Sequence, residues 1–103
     1  MSYNRILAIV SVIGQDQKGV VARVSTYLAE NNVNIEDIEQ KVVQGLFIMN
    51  MLVDLSDISF NLDEMINGLN GLGQKLSMDV EVRLLGRRRD KRIVLLAVYL
   101  LSE

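Results

Sequence analysis

The chain has 103 residues, half of them apolar, a formal net charge of −2, and neither cysteine nor histidine. That length suits one domain with one core; the missing thiols exclude disulfides and thiolate metal sites, and the missing imidazole removes the commonest general base and zinc ligand. Enzymatic chemistry is therefore disfavoured and no metal or cofactor is expected, while a body of six basic and eleven acidic groups over residues 1–86 lacks the basic face that a nucleic acid requires.

The N-terminal "MSYNRILAIVSVIG" has no small-residue cleavage pattern, and no apolar run reaches the roughly 18 to 20 residues that span a membrane. The expected place is the cytoplasm, with no membrane partner. Residues 5–13, "RILAIVSVI", are rich in β-branched and apolar types, which predicts a strand buried on both faces and central in its sheet.

"IGQDQKGVV" follows. Gly14 and Gly19 are spaced as in a phosphate-cradling loop, but Val20 and Val21 stand where that loop needs a lysine and a hydroxyl. Val20, Val21, Val24, Tyr27 and Leu28 then recur at helical spacing up to "ENN", and Asp16 is placed to cap this first helix.

Residues 34–43, "NIEDIEQKVV", break strict alternation and predict a strand with a bulge. Gln44-Gly45 supplies a turn, and residues 46–55, "LFIMNMLVDL", predict the hairpin partner, with Phe47, Met49, Met51, Val53 and Leu55 on one face. The two methionines on that face read as core filler.

"FNLDEMINGLNGLGQKL" puts Leu62, Met65, Ile66, Leu69, Leu72 and Leu76 on one stripe, with Asn61 and Glu64 at capping-box spacing and Phe60 set to staple onto Met65. Gly68, Gly71 and Gly73 each cost about 1 kcal/mol in a helix interior, against about 1.5 to 3 kcal/mol for each apolar side chain fully buried, so a helix held by packing is expected. Residues 78–84, "MDVEVRL", alternate, with Met78, Val80, Val82 and Leu84 inward.

The order βαββαβ predicts an α+β, ferredoxin-like sandwich: four antiparallel strands with both helices on one face. Residues 4–86 make that domain. Residues 87–103 read as a solvated basic linker, "RRRDKR", followed by "IVLLAVYLL", an extra C-terminal strand over 93–101 that pairs at a sheet edge or crosses to a partner subunit.

That order, together with Gly14, Asp16, Gly19-Val20-Val21, Val24, Leu28, Asn34-Ile35, Asp37-Ile38, Gln40 and "FIMNMLVDLS", resembles the ACT domain, a small regulatory module that binds amino acids. Within that group the chain is most similar to single-domain proteins of unassigned function and to the ACT segments of formyltetrahydrofolate deformylase and of the glycine-cleavage-system repressor. The tail resembles the start of the deformylase catalytic domain. That catalytic half is not in these 103 residues, so its activity does not carry over.

A glycine-bounded loop entering a helix offers unpaired N–H groups and partial positive charge, worth about 0.3 to 1 kcal/mol to an anion. A carboxylate suits it better than a triphosphate, and an α-amino acid adds an ammonium that nearby acidic and amide groups would hold. The loop candidates are Gly14, Asp16, Lys18, Gly19 and Val20. The resemblance adds Asn34, Ile35, Asp37 and Gln40, because in ACT domains the ligand lies between the first helix of one subunit and the second strand of its partner. Equally, the glycines serve a tight turn, Asp16 serves only as a cap, and Asn34 serves as a left-handed residue at a helix-to-strand turn. The competing functions are a non-enzymatic amino-acid sensor acting as a homodimer, a ligand-free interaction module, and a regulatory fragment of a deformylase-like enzyme.

Overall fold

The computed structural model describes residues 5–58 and 61–88. Six elements run in the expected order: β1 (Arg5–Gln15), α1 (Val20–Glu30), β2 (Asn34–Val43), β3 (Leu46–Asp54), α2 (Leu62–Lys75) and β4 (Met78–Arg88). The strands form one antiparallel sheet in the order β2-β3-β1-β4. The most apolar strand, β1, is thus paired on both sides, which leaves the more polar β2 and β4 as edges.

Ala8, Val10 and Val12 of β1 cluster with Phe47, Met49, Met51 and Val53 of β3, Val24 and Leu28 of α1, and Met65 and Leu69 of α2. The strand residues share one face by alternation, so both helices cover that face and leave the other open. Val43 pairs with Leu46, and the two residues between, Gln44 (φ 55) and Gly45 (φ 78), take the left-handed conformations that match a two-residue turn to strand twist. The bulge expected in β2 falls between Ile35 and Asp37, with Glu36 as the extra residue.

Asn61 Oδ1 accepts from Glu64 N at 2.8 Å and starts α2, with Asp63 and Glu64 in its first turn and Lys75 in its last. The staple expected from Phe60 lies outside the described residues. Two of the helix's glycines are contact points: a Cβ on Gly68 would run into Tyr27 Oη, and one on Gly73 would meet Val80 Cγ2 at 2.6 Å. Close seating on α1 and β4 offsets the propensity that those glycines lose.

Strand β4 runs past the alternating segment to Arg88. Ala8 pairs with Leu84 but Leu7 with Gly86, so Leu85 is an extra residue and the alternation changes phase there. Leu84, expected inward, lies on the helix side yet remains 49 % exposed. The cause is length, since eleven residues of strand reach about 36 Å and the fourteen of α2 only about 21 Å. The C-terminal strand expected over 93–101 lies outside the described residues. No helix among the described residues is long and apolar enough to cross a membrane.

Candidate functional site

The chain leaves β1 through Gly14, which pairs with Phe47 on one side and Met78 on the other. A Cβ there would run into Met78 Sδ and stand 3.0 Å from Ser77 O. Asp16 N then donates to Gly45 O at 2.9 Å, and Gln17 Nε2 donates to Leu76 O, so the loop is tied to the hairpin turn and to the end of α2. Gly19 takes φ 88 and ψ 0, a left-handed conformation that a side chain opposes, although nothing stands within 4 Å of where its Cβ would be. Both glycines therefore have a structural cause, one of space and one of dihedral angle.

Asp16 does not cap α1. The N-cap residue is Gly19, with no side-chain cap hydrogen bond and no acidic residue in the first turn. A cap is given by the residue immediately before the helix, and Asp16 lies four positions ahead of Val20. Its carboxylate makes no hydrogen bond or ion pair among the described residues. Asp16, Lys18 and Gly19 are exposed and Val20 is buried. The start of α1 thus presents backbone donors and partial positive charge without a side-chain acceptor, whereas α2 is capped and carries two acidic residues at the same place.

On β2, Asn34 is extended; the left-handed residue of the preceding turn is Asn32 (φ 61), because that turn falls directly after the helix end at Asn31. Asn34 Nδ2 donates to Glu36 Oε2 at 2.7 Å, and Arg5 reaches Glu36 Oε1 at 3.0 Å. Asp37 Oδ1 accepts from Ile38 N. By register, Ile35 and Gln40 lie on the helix side with Val53 and Met49, whereas Asn34 and Asp37 lie on the open side with Asp54 and Leu52.

The two halves of the candidate set do not meet within one chain. Asn34 shares a row with Asp54 and Leu7, while Gly14 shares one with Phe47 and Val42. Those rows are seven β1 residues apart, about 24 Å. Sequence reasoning missed two further residues of this region: Ile38 and Val42, on the helix side of edge strand β2, are 41 % and 52 % exposed. Their i, i+4 placement about Gln40 within a strand was the available signal.

Residues 7–83 match the ACT domain family. A UPF0237 protein of Methanopyrus kandleri is 47% identical over 76 residues, which cover 74% of this chain and 84% of that protein. Among solved structures, an ACT domain protein from Streptococcus pneumoniae superposes with a TM-score of 0.69 at 34% identity, over 79% of this chain and 91% of that one. A formyltetrahydrofolate deformylase from Pseudomonas syringae pv. tomato does so with a TM-score of 0.70 at 25% identity, but the match spans 28% of its chain.

Proposed function

This chain belongs to the ACT domain family, and from that premise we propose that it is a non-enzymatic regulatory module that binds a small amino acid between two copies of itself. The observation that carries the reading is the uncapped start of α1 beside the unpartnered Asp16 carboxylate. Backbone N–H groups there suit an α-carboxylate, with Lys18 adding positive charge nearby, and Asp16, freed from capping, suits the ammonium. An amino acid presents both groups on one carbon.

A second copy supplies what one chain lacks. Pairing β2 antiparallel with its own copy about an axis through Gln40 sets Ile38 opposite the partner's Val42 and Glu39 opposite the partner's Lys41. Both pairs are complementary, one apolar and one of opposite charge. In that register the Asp37–Ile38 rows line up with those of the partner's Gly14 and Gln15, since Val42 and Val43 share rows with these two residues through Phe47 and Leu46. Ile35 and Gln40, on the helix side, are the second-strand residues best placed to border the ligand; Asn34 and Asp37 would act on the open side.

A thermal-shift and calorimetric panel of the proteinogenic amino acids tests the reading. A ligand at a hundred times its Kd stabilises by about 2.7 kcal/mol, and Asp16→Asn should weaken its binding about tenfold or more through the loss of a charge-assisted contact of about 1.5 to 3 kcal/mol. A dimer that responds to none of them would favour the ligand-free interaction module, for which the exposed Ile38 and Val42 would suffice.

A further inference from the structure

The sheet face away from the helices is apolar along its middle: Leu7, Ile9 and Ile13 of β1 lie there with Ile48 and Leu52 of β3. It is unevenly covered. Leu7 and Ile9 are 2 % and 1 % exposed although neither belongs to the core cluster under the helices, whereas Ile13 and Leu46, at the other end of the same face, are 40 % and 43 % exposed. Strand β4 delivers the chain to the covered end, because Arg88 pairs with Arg5 and Gly86 with Leu7.

We infer that residues 93–101, "IVLLAVYLL", of the same chain pack on this open face over Leu7, Ile9 and Leu52. The spacer of residues 89–92 reaches about 13 Å when extended, enough to turn from β4 onto a stripe that begins one strand away, at about 4.8 Å. Nine apolar residues reach about 30 Å as a strand and about 14 Å as a helix, and either length covers the roughly 7 Å from Leu7 to Ile9. Charge favours this occupant over a second copy of the face. Asp37, Glu39, Asp54, Asp79 and Glu81 lie on this face against Arg5, Lys41 and Arg83, so two such net-acidic faces would repel, whereas the spacer "RDKR" brings three basic groups and one acidic. The short tether also gives the chain's own segment a high effective concentration at the face.

A photoreactive benzoylphenylalanine in place of Tyr99 in the full-length chain tests this. Irradiation should join position 99 to the peptide carrying Leu7 and Ile9, or to that carrying Leu52, within single chains. The variant Leu96→Asp, which alters only the segment, should reduce that adduct to background. Adducts confined to α1, α2 or the β2 edge, adducts formed only between chains, or a yield no higher than that of the detached peptide mixed with protein would each overturn the inference.

Discussion

Gly19 separates backbone from ligand effects. Its φ of 88 opposes any side chain, but its Cβ position faces open space. Gly19→Ala should therefore lower stability by about 1 to 2 kcal/mol in denaturant unfolding, from left-handed strain without collision. Gly19→Val adds bulk at the helix entrance and, being β-branched, a larger backbone cost, so calorimetry at a temperature where both variants are folded should show it weakening amino-acid binding beyond the alanine variant. Equal affinities in the two would mean that the loop only turns the chain. Tyr27 carries a different signature. Its Oη donates to Met65 O at 2.9 Å, and burial raises its pKa above the ordinary 10. A raised pKa in the folded state favours the neutral phenol, so this contribution is whole below about pH 10 and is lost as the pH climbs through the folded value. Tyr27→Phe should cost about 1 kcal/mol at neutral pH, and the gap to the parent protein should close at alkaline pH in unfolding curves.

The second helix is where local and tertiary terms conflict most plainly. A Cβ on Gly71 meets nothing within 4 Å, while one on Gly73 meets Val80 Cγ2 at 2.6 Å and Met78 O at 3.0 Å. Helix propensity favours alanine at both positions by about 1 kcal/mol. Gly71→Ala should thus raise the melting temperature, and Gly73→Ala should lower it, since overpacking against β4 costs about 1 to 3 kcal/mol. In the sequence both glycines read only as a cost, because closeness to another element leaves no local trace. The stripe from Leu62 to Leu76 and the Asn61 cap were legible, being written in spacing within the segment itself. Asp16 shows the limit of such reading: a cap residue is defined by where the helix begins, and the left-handed Gly19 moves that point to Val20. The bulge in β2 was legible because its charged residues interrupt the apolar ones, whereas that of β4 was hidden by the adjacent Leu84 and Leu85.

At the scale of the whole molecule the topology followed from element order, but the site did not, since its candidate halves lie in rows about 24 Å apart on one sheet. Resemblance supplied the second set of residues, and only register reveals that Gln40 and Asp37 face opposite sides. Those same rows make the assembly testable without disturbing the fold. Glu39 and Lys41 are exposed and lie on the open face, so exchanging their charges leaves the core untouched. In a β2–β2 pairing about Gln40 the Glu39–Lys41 contact occurs twice, by symmetry. Glu39→Lys turns two attractions, each about 0.2 to 1 kcal/mol, into two like-charge pairs, which should weaken the dimer roughly tenfold in sedimentation equilibrium at low salt. Adding Lys41→Glu restores opposite charges across the axis and should recover the parent affinity, and both effects should fade at high ionic strength. A parent protein that remains monomeric, or a double variant no tighter than the single one, would show that β2 does not pair in this register.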